Sequence, residues 1–155
     1  MNQSSESRQV VKDLYGFDDW PRGRPARGRT LAVLSAEAAP LPLIKRQPLS
    51  GGGYIDTYGD GAETLVSVWI QHCGSPEDAH EALIDHLMAC MAPRLPDAGD
   101  RGLSAGDVAF AGHDDPPTSL VFVRDHVLAR IHSTGERPYP LREMASIVDD
   151  LLVGR

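Results

Sequence analysis

Nine residues constrain this chain more than any others. From position 64 to 72 it reads TLVSVWIQH. Val66, Val68 and Ile70 fall on one side of an extended chain. Leu65, Ser67, Trp69 and Gln71 fall on the other, because side chains alternate along a strand. A helix start follows at once in Gly74-Ser75-Pro76-Glu77-Asp78. Ser75 suits the cap and Pro76 the first helical position, and the two carboxylates complement the helix dipole. The predicted helix runs to about Met91. His80, Leu83, Ile84, Leu87, Met88 and Met91 form its apolar stripe, with Cys90 at the edge. Pro93 and Pro96 end it.

The same signals recur on either side. Residues 30–35, 43–47 and 54–58 read as strands, with a turn at Ser50-Gly51-Gly52-Gly53. Asp60-Gly61 is a hairpin signal leading into 64–72. After a Gly/Asp/Pro-rich loop, residues 107–111 form a short strand. Residues 119–124 and 127–133 form a hairpin about Asp125-His126. Pro138 and Pro140 lead into a last helix, whose apolar face is Leu141, Met144, Ala145, Ile147, Val148, Leu151 and Leu152. Near the beginning, Val10, Val11, Leu14 and Tyr15 recur at helical spacing. Residues 21–29 are rich in Pro, Gly and Arg and read as a linker or arm.

At 155 residues the chain has the length of one ordinary domain. Hydrophobic residues at 41 % and charged residues at 24 % allow a real core and argue against global disorder. Consecutive strands joined by short turns pair antiparallel. The expected fold is therefore α+β: a two-layer sandwich with a mainly antiparallel sheet of five to seven strands. Two helices are expected on one face of it. Residues 1–29 are expected to be an N-terminal helix and arm, and 30–155 a single domain. The order from Gly74-Ser75-Pro76 through Gly106-Asp107-Val108-Ala109-Phe110 to the hairpin at Asp125-His126 resembles several bacterial domains. That resemblance covers residues 64–152 and brings no activity with it.

Charge narrows the partners. Residues 1–29 carry a net of +2 and the remainder a net of −9, within an overall −7. An acidic body repels nucleic acid and anionic lipid at long range. It suits a basic protein partner. No run reaches the length of a membrane span, and the first 29 residues hold no secretory apolar stretch, so the expected location is cytoplasmic. Cys73 and Cys90 flank one helix, roughly 20 Å apart, too far to be bridged.

Several short motifs touch on chemistry. Pro21-Arg22-Gly23-Arg24-Pro25 resembles the core of an AT-hook, in which Arg-Gly-Arg enters a narrow minor groove. Arg27 and Arg29 would add phosphate contacts. The attached acidic body weighs against this. Gly102-Leu103-Ser104-Ala105-Gly106 matches a nucleophile elbow in letters, but that motif needs a strand before the serine and a helix after it. The order here is loop then strand. Gly51-Gly52-Gly53 opens toward a strand and lacks the lysine of a phosphate loop. His113-Asp114-Asp115 reads as an acidic loop.

His86 and Cys90 are four apart on a helix and could reach one metal ion, with any further ligand coming from His113, His126 or His132. No short ligand spacing supports such a site, and no cofactor is implied. The leading expectation is a non-enzymatic binding or adaptor protein, contacting another protein through Trp69 or through Trp20 beside the arm. The second is a small-ligand pocket, or an enzyme site, between sheet and helices near His80 and Trp69. The third is DNA association through Arg22, Gly23, Arg24, Arg27 and Arg29.

Overall fold

The computed structural model describes residues 3–21, 40–61, 63–90 and 94–153. The expected strand at 30–35 and the segment holding Arg22, Gly23, Arg24, Arg27 and Arg29 lie outside the described residues. Within them the order is α1 (Gln3–Tyr15), a 3-10 turn (Phe17–Asp19), β1 (Leu43–Pro48), β2 (Gly53–Gly59), β3 (Thr64–His72) and α2 (Pro76–Ala89). A second 3-10 turn (Ala98–Arg101), β4 (Val108–Ala111), β5 (Ser119–Arg124), β6 (Val127–Ser133) and α3 (Arg142–Val153) follow. The strands form one six-stranded sheet in the order β1-β2-β3-β6-β5-β4, and every pairing is antiparallel. The α+β class and antiparallel sheet are as the sequence implies.

The placement of the helices is a correction. They do not share one face. Leu120, Phe122, Ala129 and Ile131 join Met144, Ala145, Val148 and Leu152 of α3 in one cluster. Val121, Val123 and Leu128 join Ala79, Leu83, Ile84 and Leu87 of α2 in another. Alternating residues of one strand point to opposite sides, so α2 and α3 sandwich the β5–β6 hairpin between them. The hairpin is apolar on both faces for that reason.

Local chemistry explains the connections. Ser75 caps α2 by accepting from the Asp78 backbone N–H at 3.1 Å, with Pro76 in the first turn. Gly53, at φ +123°, closes the turn into β2; a Cβ there would meet the Ile70 carbonyl oxygen at 2.2 Å. Asp125 turns the β5–β6 hairpin at φ 52°, a conformation that Asp tolerates better than most residues. Its N–H donates to Asp107 Oδ2 at 2.7 Å. The N-terminal helix is packed on the body: Arg8 and Lys12 both reach Glu81 of α2, and Tyr15 is buried beside Phe110. Cys73 and Cys90 are both free thiols, as their separation requires. No helix among the described residues is long and apolar enough to cross a membrane.

One ionic cluster ties α3 to the sheet. Arg124 donates to Asp149 of α3 at 2.8 and 2.7 Å and to Asp107 at 2.9 Å. Its side chain is only 12 % exposed and that of Asp107 is fully buried. Removing the cation from such a cluster strands buried carboxylates, which costs about 3–5 kcal/mol. Arg124→Met keeps the apolar stem, so its unfolding free energy should fall by that amount, measured from urea denaturation near neutral pH. A loss below about 1 kcal/mol would show that α3 is held by its apolar face alone.

Candidate functional site

α2 seals the hairpin at the level of Val123 and Leu128, and its last turn ends over Val121, Ser119 and His132. There a cleft of about 410 Å³ opens between the helix and the sheet. Phe110 and Val121 supply apolar lining from β4 and β5, and Leu95 adds to it from the loop after α2. His86 and Cys90 come from the C-terminal end of α2, and His132 and Ser119 from β6 and β5. Gly112, His113 and Asp114 complete the lining, with His113 and Asp114 exposed at the rim.

The polar groups inside the cleft are held uncharged. Burial pushes the His86 imidazole down to about 4, and the nearby Arg130 guanidinium and His132 add to the shift. Burial also lowers His132, again with help from Arg130. The Cys90 thiol is raised by burial, with Arg130 opposing. A thiol in that state is a poor nucleophile, since the thiolate is the reactive form.

The tautomer of His86 follows from its neighbour. Arg130 Nη1 lies 3.4 Å from His86 Nδ1. A guanidinium only donates, so Nδ1 is the acceptor and the neutral ring carries its proton on Nε2. That nitrogen lies 3.8 Å from Cys90 Sγ. The pair is therefore N–H toward sulfur. A nucleophilic Cys–His pair needs the reverse, with the ring free to accept the thiol proton and a third group accepting from its other nitrogen.

The other residues named from the sequence fall in different places. Trp20 is not an exposed anchor: it is 8 % exposed. Gly16, at φ 70°, starts the turn that folds the chain back. Trp20 then packs against Phe110 at 5.8 Å and edge-on to His80 at 5.5 Å. Its Nε1–H donates to the Tyr15 carbonyl at 2.9 Å. His80 is fully enclosed in the same aromatic layer. Trp20 and His80 are thus brought together behind the cleft, with Phe110 shared between that layer and the lining. Trp69 is half-buried on β3, opposite Arg130 of β6, whose guanidinium lies 3.6 Å over its ring.

His86 and Cys90 do share one site, and His113 and His132 reach the same cleft. Among the described residues no group of three or more His, Cys, Asp or Glu is placed to hold a metal ion. His126 lies elsewhere, against His72 at 4.5 Å and Asp125 at 2.7 Å. Ser104 is exposed on the loop into β4, so the elbow-like string has neither the strand before it nor the helix after it. The residues that sequence reasoning missed are Arg130, Ser119 and the apolar lining. The polar alternation of Arg130 and His132 on one face of 127–133 was the signal available. Compared with protein-family models, curated proteins and solved structures, the chain matches none.

The half-buried imidazoles of His86 and His132 make acid stability a direct readout. Their folded values lie below the ordinary 6.5 of a free imidazole, so the unfolded chain binds protons that the folded chain does not. Their contribution is complete above about 6.5 and is lost as pH falls toward the folded value of His86, about 4. One such proton gives a slope of up to about 1.4 kcal/mol per pH unit. Urea midpoints measured from pH 7 down should fall less steeply for His86→Gln, and for His132→Gln to a lesser degree. An unchanged slope in both variants would show that neither ring is kept neutral by the fold.

Proposed function

We propose that this protein is a non-enzymatic binding module whose cleft, between the end of α2 and the β5–β6 hairpin, takes a small molecule with an apolar body. The observation that carries the reading is the combination in one concavity of about 410 Å³: an apolar lining and a few convergent polar groups. Ligand sites have this make-up and fall in this size range. The apolar lining supplies affinity by burial, and the hydroxyl and imidazole groups orient the ligand. The orientation of the His86–Cys90 pair favours binding over nucleophilic chemistry. The aromatic layer of Tyr15, Trp20 and His80 supports Phe110 from behind, which favours a preformed site over one assembled on binding.

A one-ring fragment tests this directly. Benzamide should bind with a dissociation constant of the order of 1 mM, as expected at about 0.4–0.5 kcal/mol per non-hydrogen atom. Its NMR shift changes should concentrate on the ring protons of His86 and His132. Ser119→Phe plants a ring in the cleft and should weaken binding at least tenfold while leaving the unfolding midpoint within a few degrees. Shift changes scattered over the surface, or binding unaffected in the folded variant, would refute the reading.

A further inference from the structure

We propose that the cleft selects an anion: its ligand carries a carboxylate, or an acidic oxygen group of similar shape, held beside the His86–Arg130 pair. This rests on the cleft being the binding site and names the class of ligand it takes. Most arginines of the described residues meet an oxygen acceptor: Arg101 donates to the Gly112 and Asp114 carbonyls and Arg142 to that of Gly102. Arg8 meets Glu81 and Asp85, Arg46 meets Asp56, Arg94 meets Asp97, and Arg124 meets Asp107 and Asp149. Arg130 is half-buried in the sheet and has no carboxylate partner among the described residues. Its neighbours are the Trp69 ring and His86 Nδ1, and neither carries negative charge. A desolvated cation without a counter-ion is costly, and an incoming anion relieves that cost.

The geometry gives this charge a route into the cleft. Arg130 donates to Nδ1 of His86, so the ring's one proton sits on Nε2, facing Cys90 Sγ at 3.8 Å, a weak contact that an anion in the cleft would replace; hydrogen bonds in series polarise one another. Arg130 is thus a positioning residue acting through His86, and His86 would touch the ligand. Ser119 supplies a hydroxyl from β5. The remaining ionisable groups of the cleft are Cys90 at the C-cap of α2, His132 on β6, and His113 and Asp114 at the rim. Asp114 opposes an anion, but it is exposed at the rim, where solvent screens it. The net charge of −7 acts at long range and is screened beyond about 8 Å at physiological salt, so the local cation governs the bound state.

Three probes of one shape separate charge from fit: benzoate, benzamide and benzamidine. Binding is read by NMR titration at pH 7. Benzoate should bind at least about fivefold more tightly than benzamide, and benzamidine more weakly than either. Saturation with benzoate should move the titration midpoints of His86 and His132 upward, whereas benzamide should leave them in place. Arg130→Met keeps the stem against Trp69 and should bring the benzoate-to-benzamide ratio to about one. Arg130→Lys keeps the charge, should retain most of the preference, and guards against a fold defect in the methionine variant. Equal binding of benzoate and benzamide, or an unaltered ratio in folded Arg130→Met, overturns anion selection and leaves the cleft reading standing. No shift at His86 or His132 with any of the three probes overturns both.

Discussion

The β5–β6 hairpin is buried on both faces, and both long helices of the body pack against it. Val121, Val123 and Leu128 face α2, while Leu120, Phe122, Ala129 and Ile131 face α3. Two-sided burial leaves such a hairpin no solvent face on which to place polar groups. Polar groups on it are either paired with the cover, as Arg124 is with Asp149 of α3, or lie where the helical cover stops. On the α2 side it stops after Val121 and Leu128, and there the sequence places Ser119, Arg130 and His132. The cleft therefore lies where the end of α2 leaves Ser119 and His132 partly uncovered.

Buried charge is handled in two ways in this molecule. On the α3 side it is neutralised within the protein. Arg46 meets the fully buried Asp56, which also accepts from Tyr58 Oη at 2.8 Å, and Arg124 is clamped between Asp107 and Asp149. These clusters hold the outer strands and α3 in place. On the α2 side Arg130 is treated differently: it stacks on Trp69 and leans on a neutral imidazole. Cation–π stacking compensates only part of the lost solvation. The contrast within one sheet is what singles out the α2 face.

Much of the fold was legible because its signals are local. Alternation in 64–72, the Ser75-Pro76 helix start, the turns at Gly51-Gly52-Gly53 and Asp125-His126, and the apolar stripe of the last helix each depend on residues a few positions apart. The side taken by α2 and α3 was open to a closer reading, since the unbroken apolar run Leu120-Val121-Phe122-Val123 already implies cover on both faces. The site was legible only in part. His86 and Cys90 share a helix face, so their proximity could be read from spacing. Trp20 could not be placed that way: its burial depends on a left-handed Gly16 and on Phe110, ninety positions further on.

The sequence by itself determined the class of the fold, the antiparallel pairing of neighbouring strands, the start of α2, the impossibility of a Cys73–Cys90 bridge and the acidic balance of the body. Each follows from composition or from short-range stereochemistry. The tertiary structure alone decided that β3 pairs with β6, which sets Trp69 opposite Arg130 and Ser67 opposite His132. It also decided that the last turn of α2 ends over Val121, Ser119 and His132, and that Arg130 meets an imidazole where Arg46 and Arg124 meet buried carboxylates. The physical reason is that spacing along a chain encodes the geometry of an element but not its partner. Partners are chosen when apolar faces are buried together, and the polar residues on those faces take whatever neighbours that choice leaves them.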